Sequence, residues 1–472
     1  MNSRKFAVNY LIQAVGRAMT LAFGLLVVNV LARSLSQQAF GEFTTAMTFL
    51  QFFGVLVDFG LTLMLVVMIS EHGADEKKIV GNVFAMRLVS GIVVFGLAPL
   101  AVLAFPYSAD VKTGVLVGSL GFLLMAVSTM LVGVFQKHAA MWRAALAEML
   151  NRAVLLGIVV WLASNGAGLV AMIAATVAAN LVWLVATLIL ARPLVAVRPR
   201  FDMDVWKDAI HRSWPIALSI AFNLVYLKGD ILFLSLFRPA EDVAVYGIAY
   251  KVVDVLTALP VMFMGLLLPA LVAEWSQGKK EAFRTHMSHA FDVFAAITIP
   301  IAVGAQAVAV PLIELIAGDK YSVSGPILQL LIFALAAVFF SSLYGHAIVA
   351  LNKQKPMIWG YAAVALVSVI GYLALIPRFG SWGAASVSLV AELLIAFITY
   401  EVVRRESQAV PSPVVFLKAL ACSALMYLVL KILPEMHVLF TVGIGATAYF
   451  ASMVAIGGID ANRLRELRKP NV

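Results

Sequence analysis

Fourteen apolar stretches, each long enough to cross a bilayer as a helix, run almost end to end through this chain, and nothing constrains its fold more. A hydrocarbon core of ~30 Å needs roughly 20 apolar residues in helix. Run length, punctuated by Gly, Pro and charge, places the spans at about 8–32, 41–69, 80–104, 113–135, 143–163, 168–191, 214–237, 243–273, 287–316, 324–351, 356–376, 382–403, 412–431 and 438–458. With 62% of residues apolar and 12% charged, a soluble outer shell polar enough to cover such a core is out of reach. The expectation is an all-α membrane protein of about fourteen transmembrane helices. The stretches 8–32 and 243–273 are long enough to be tilted or kinked, and Pro260 and Pro269 are the natural kink sites in the latter. The first span follows a short basic start without a small-residue cleavage site, so it reads as a retained helix and not a signal peptide.

Charge in the loops sets orientation. Lys and Arg gather on alternate sides: Arg4 and Lys5, Lys77 and Lys78, Lys137 and Arg143, the group from Arg192 to Arg212, Lys279 to Arg284, Lys353 and Lys355, Arg404 to Lys418, and Arg463 to Lys469. The intervening loops hold only Arg33, Lys112, Arg238, Lys320, Arg378 and Lys431. Both termini are therefore expected in the cytoplasm. The formal charge of +9 is a topology signal, and no nucleic-acid partner is needed to account for it.

The chain divides at its longest cytoplasmic connection. The expected parts are residues 1–192 as a six-helix lobe, 193–213 as an amphipathic linker, 214–404 as a second six-helix lobe, and 405–472 as two further helices with a basic tail. In the linker, Trp206, Ile210 and Trp214 recur at i, i+4, i+8, a pattern for a short helix in the headgroup layer. Asp202 and Asp204 form a DxD triplet, which reads either as a metal-bound nucleotide-sugar site or as helix capping; with no soluble nucleotide-binding domain around it, capping is the favoured reading. The halves look like copies. Leu31-Ala32-Arg33 then Phe40-Gly41 in the first answer to Leu236-Phe237-Arg238 then Tyr246-Gly247 in the second, and Gly166 to Gly168 answers to Gly380 to Gly383. Copies six spans apart share an orientation, so the lobes should be related by a pseudo-twofold along the membrane normal, with a cavity at their interface.

The run Leu31-Ala32-Arg33-Ser34-Leu35 to Ala39-Phe40-Gly41, then Val57-Asp58-Phe59-Gly60-Leu61, resembles the opening of polysaccharide-transport proteins. These are the O-antigen and exopolysaccharide flippases of the multidrug/oligosaccharidyl-lipid/polysaccharide exporter superfamily. Trp214 to Ser219, Tyr226 to Asp230 and Val245 to Tyr250 are similar to the family's seventh and eighth helices. The resemblance covers about residues 10–400. It implies a two-lobed carrier in the bacterial inner membrane that moves undecaprenyl-diphosphate-linked oligosaccharide to the outer leaflet, in company with other polysaccharide assembly proteins. An antiporter of drugs or small amphiphiles on the same fold is the alternative.

Ionisable residues inside spans cost ~2.5–3.5 kcal/mol each at a helix centre, so function is the default reading for them. They are Arg17, Arg87, Arg152, Lys228, Lys251, Asp58, Glu148, Asp230, Asp254, Asp292 and Glu392. Local pairing must be subtracted first: Glu148 and Arg152 are i, i+4, and Lys251 and Asp254 are i, i+3. Arg17, Arg87, Arg152 and Lys228 are the candidate substrate-binding residues, because guanidinium and ammonium groups suit a diphosphate. For Arg87, snorkelling to the headgroups is the structural alternative. Asp58, Asp230, Asp254 and Glu392 are the candidate carboxylates for coupling to H+ or Na+, with a conformation-locking salt bridge as their alternative. Cys422 is the sole cysteine, the histidines are scattered, and no P-loop occurs. No enzyme activity, metal site or cofactor is expected.

Overall fold

The computed structural model describes residues 3–434 and 436–458, with side chains from Met19 onward apart from Pro215. Among them are sixteen α-helices and no strand. The first eight are α1 (Ser3–Ser34), α2 (Gln37–Asp58), α3 (Leu61–Ser70), α4 (Glu76–Ala101), α5 (Ala109–Lys137), α6 (Met141–Ser164), α7 (Leu169–Ala191) and α8 (Met203–Phe237). The rest are α9 (Ala240–Leu256), α10 (Ala258–Ser276), α11 (Lys280–Ala317), α12 (Ser324–Ala350), α13 (Gln354–Phe379), α14 (Ser381–Ser407), α15 (Val414–Ile432) and α16 (Val438–Ala455). Thirteen stretches among the described residues are long and apolar enough to span, counting α2 with α3 and α9 with α10 as one span each. The remaining expected span falls on α1, whose described apolar part is Met19–Ser34. Helices suit this solvent because each satisfies its backbone hydrogen bonds internally. Leu100, Trp161, Trp359 and Phe397 lie exposed, an aggregation surface in water but the ordinary outer face of a protein in lipid.

Helix starts follow local chemistry. The side chains of Ser36, Asp75 and Ser108 accept the backbone N–H groups of Ala39, Lys78 and Val111, capping α2, α4 and α5. Asp202 caps α8 by accepting the Asp204 N–H at 3.0 Å, as the capping reading of the DxD triplet requires. The Lys78 ammonium, 2.6 Å away, holds the Asp202 carboxyl below its usual range. Residues 203–213 run directly into the span that follows, as the first turns of α8.

Packing divides the chain into two compact units: one runs to Gly247 and takes in Tyr372–Gly380, and the other holds Ile248–Gly371 and the chain from Ser381 on. Within the first, α2, α4, α5 and α7 enclose a core around Leu50, Phe95, Val115, Phe122 and Ile173. Gly41 is needed there, since a Cβ on it would fall 1.7 Å from the Ala240 carbonyl oxygen, where α2 crosses the start of α9. Gly247, its counterpart in the repeat, faces Thr44 across the same crossing. Within the second unit, α11, α15 and α16 pack around Ala295, Cys422, Met426 and Tyr449.

Within each unit, connections that the charge pattern assigns to one side meet one another. At one end of the first unit, Lys137 Nζ and His138 Nε2 each lie 2.7 Å from the Glu76 carboxylate, joining the connections before α4 and before α6. At its other end, the hydroxyls of Tyr107 and Ser235 meet at 2.8 Å, joining the connection before α5 to the end of α8. In the second unit, Lys353 pairs with Glu406 at 2.8 Å, and Arg284 Nε donates to the Ser407 carbonyl at 2.7 Å.

Two spans are broken part-way. In Ala240–Ser276 the helix stops after Leu256 and resumes at Ala258. Pro260 explains this, because its ring clashes with the carbonyl four residues back, that of Leu256. Pro269 is accommodated inside α10. In Gln37–Ser70 the break is at Phe59 and Gly60, both left-handed, with φ of 43° and 71°. That break was not expected from the sequence.

Candidate functional site

The break between α2 and α3 builds the site. Ending α2 at Asp58 leaves the carbonyls of its last turn without in-helix donors. One of them, on Val57, accepts from Arg87 Nη1 at 2.9 Å. Arg87 Nη2 lies 2.5 Å from Asp58 Oδ1 and donates to Thr62 Oγ1 at 2.6 Å. Thr62 in turn donates to Asp58 Oδ1 at 2.7 Å, and the Gly60 N–H donates to Asp58 Oδ2 at 3.2 Å. A cation thus meets the C-terminus of α2 and a carboxylate meets the N-terminus of α3, each complementing a helix dipole.

Arg87 is 1% exposed, roughly 17 Å along α4 from its start at a rise of ~1.5 Å per residue. Its guanidinium is turned onto α2 and α3, where Val57, Asp58 and Thr62 hold it. Its Nε is enclosed with no hydrogen-bond partner, while the Asp58 side chain keeps 31% exposure. That exposure opens onto a cavity of about 450 Å3 lined by Asp58, Arg87, Lys228, Gln51, Thr129 and Asn223 on a ground of Phe95, Phe122, Leu224 and Leu227. The size falls in the ~300–1,000 Å3 range of small-molecule sites, and a few convergent polar groups on an apolar wall is their usual make-up.

Of the residues singled out from the sequence, this cavity brings together Asp58, Arg87 and Lys228. Asp230 is fully buried and accepts the Tyr246 hydroxyl at 2.6 Å, a hydrogen bond from α9 to α8. Asp254 lies half-exposed on α9, 4.0 Å from Lys251. Glu392 is buried on α14 in the second unit, and Arg152 on α6 is half-buried with its Nε enclosed and unbonded. The Arg17 side chain lies outside the described residues.

Sequence reasoning missed Gln51, Thr129 and Asn223 as cavity residues, since uncharged polar side chains are common in spans and carry no signal of their own. It also missed Glu42, buried at 8% exposure near the start of α2. Its position at the edge of an apolar run makes it look like a loop charge. Among the described residues no cluster of His, Cys, Asp and Glu could hold a metal ion.

Residues 30–326 match a family model described as polysaccharide biosynthesis protein. A curated protein of Shigella dysenteriae, provisionally described as an O-antigen transporter, is 24% identical over 200 residues, which is 42% of this chain and 49% of that protein. The match therefore spans about half the length of that relative. Among solved structures, the lipid II flippase MurJ in an inward closed conformation is similar with a TM-score of 0.79 and 14% identity, covering 94% of this chain and 98% of that one. An inward-facing multidrug resistance MATE family transporter of the MOP superfamily gives 0.68 and 13%, covering 84% and 98%. At such identities the likeness is one of fold.

Proposed function

Because this chain belongs to the polysaccharide biosynthesis protein family, we propose that it is a flippase carrying an undecaprenyl-diphosphate-linked oligosaccharide from the cytoplasmic to the periplasmic leaflet by alternating access. The observation that carries the reading is the cavity of the first unit, where Lys228 and the Asp58–Arg87 pair face a largely apolar wall. A diphosphate entering there would lose hydration, and charge-assisted hydrogen bonds from cationic side chains are what offsets that loss. Lys228 is the principal contact in this proposal. Arg87 would add to it on release from Asp58, with Arg17 and Arg152 as further phosphate ligands.

The coupling step follows from the same pair. Protonating Asp58, or placing Na+ beside it, weakens its hold on Arg87 and frees a guanidinium for the phosphate. Ion binding and headgroup binding would then favour the same rearranged state, which is the differential affinity that coupling needs. Asp230, Asp254 and Glu392 are the other proposed coupling carboxylates. Asp230 would act by exchanging the Tyr246 hydroxyl for a proton or ion. In this proposal the protein sits in the bacterial inner membrane with both termini cytoplasmic, beside other assembly proteins of the polysaccharide.

The MATE-like fold and the acidic residues of the second half favour one rival, an antiporter of cationic amphiphiles. Deleting the gene in its native cell separates the two. Build-up of the diphosphate-linked intermediate in the inner leaflet is expected for the flippase. Unchanged lipid pools together with altered drug tolerance would favour the antiporter.

A further inference from the structure

At the end of the first unit opposite its Lys- and Arg-rich connections lies a second cavity, of about 380 Å3. It sits where the starts of α2, α5 and α9 meet, and the functional reading above makes no use of it. Its wall is polar: Gln38 and Glu42 on α2, Tyr107 ahead of α5, Ser235 and Arg238 at the end of α8, and Glu241 on α9.

Glu42 is the observation that asks for a ligand. Its side chain is more than nine-tenths buried, at 8% exposure, yet it receives a single long hydrogen bond, 3.4 Å from Gln38 Nε2. A carboxylate carries about four lone-pair sites, so most of its accepting capacity is aimed into the cavity. Donors face it. Arg238 uses its Nε on Asp242 at 2.7 Å, which fixes the guanidinium and leaves its outer N–H groups without a partner among the described residues. The Ser235 hydroxyl donates to the Leu232 carbonyl at 2.7 Å and takes the Tyr107 proton at 2.8 Å, so this pair presents lone pairs to the cavity.

The balance of charge chooses among ligands. Glu42 and Glu241 stand against one arginine that Asp242 already neutralises, so a phosphate or sugar acid would meet net repulsion. A metal ion would find too few ligands, as no cluster of three acidic, His or Cys side chains occurs among the described residues. An uncharged polyol meets both halves of the wall: its hydroxyls donate to Glu42 and accept from Arg238 and Gln38. We propose that this cavity is a sugar subsite, taking an uncharged pyranose of the transported glycan on the periplasmic side, an inference that rests on the flippase reading above.

The test uses the full chain in lipid nanodiscs and ligand-observed saturation-transfer NMR with glucose, galactose, N-acetylglucosamine and glucuronate. At least one of the three neutral sugars should receive saturation, more strongly than glucuronate. Glu42→Gln and Arg238→Gln should each weaken that binding about tenfold, the usual effect of losing a hydrogen bond to a charged group. Thermal unfolding of each variant checks that the fold is kept, and Glu241→Gln on the exposed rim supplies a third variant should either fail to fold. No transfer above protein-free nanodiscs, equal transfer in wild type and all folded variants, or strongest transfer to glucuronate would overturn the subsite. If the sugars fail while the deletion strain still accumulates its intermediate in the inner leaflet, the subsite falls and the flippase stands. If the sugars bind while lipid pools are unchanged, the flippase reading falls and with it the glycan assignment.

Discussion

The spans Gln37–Ser70 and Ala240–Ser276 occupy matching places in the two halves of the sequence, and both are broken, but by different chemistry. The second break is local. Pro260 removes a donor and crowds the Leu256 carbonyl, and nearby Lys251 and Asp254 make a loose, half-exposed pair at 4.0 Å. The first break is non-local. Two left-handed residues end α2, and an arginine from α4 supplies what the chain has lost, through hydrogen bonds to Val57, Asp58 and Thr62. A break made by proline persists whatever its neighbours do. A break held by Arg87 depends on where α4 lies, so any displacement of α4 along α2 must undo and rebuild it. The first break therefore reports on the position of another helix, and it borders the cavity that carries the proposed function.

Removing the tie should have the largest effect. Arg87→Met leaves the Val57 carbonyl without its donor and the Asp58 carboxylate with only Thr62 and the Gly60 N–H, and because Asp58 is part-exposed the loss should be about 2–3 kcal/mol. Unfolding in nanodiscs by heat or denaturant should show that loss, and Asp58→Asn added to it should recover part. A variant as stable as wild type would erase the distinction between the two breaks. Gly60→Ala comes next, at about 1–2 kcal/mol for a side chain at φ 71°. The added Cβ would lie 3.0 Å from Ile216 Cγ2, so that side chain would also have to give by a few tenths of an ångström. A stabilised Gly60→Ala protein would mean that the left-handed turn is not required. Smallest is Lys251→Ala, expected to change stability by less than about 0.5 kcal/mol, because a half-exposed pair at that distance is screened. A loss comparable to that of Arg87→Met would show the second break to be held by charge as well.

The contrast also explains what could be read in advance. Spans, their alternation and the Pro260 kink were legible because each follows from residues adjacent in the chain: apolar run length, loop charge, a ring against a carbonyl one turn back. The DxD triplet was legible for the same reason, as Asp202 caps its own helix. The break at Phe59–Gly60 was not. A single glycine in an apolar run is compatible with continuous helix, and what tips it here is Arg87, 28 residues beyond Phe59 in the sequence. The site was half visible for a related reason. Asp58, Arg87 and Lys228 stood out one by one as charges in lipid, yet nothing in their spacing says that two of them pair and all three share a cavity. Glu42 escaped because its depth depends on how α2 packs against its neighbours, not on the residues beside it.

The most direct measurement is translocation of a fluorescent undecaprenyl-diphosphate sugar in proteoliposomes by Lys228→Gln, with Lys251→Gln as the matched loss of charge at the other break. Lys228→Gln should slow translocation at least tenfold, as expected when a charge-assisted bond to phosphate is lost, while Lys251→Gln keeps the wild-type rate. Equal rates for both variants and wild type would contradict the assignment of the headgroup to the Asp58–Arg87–Lys228 cavity.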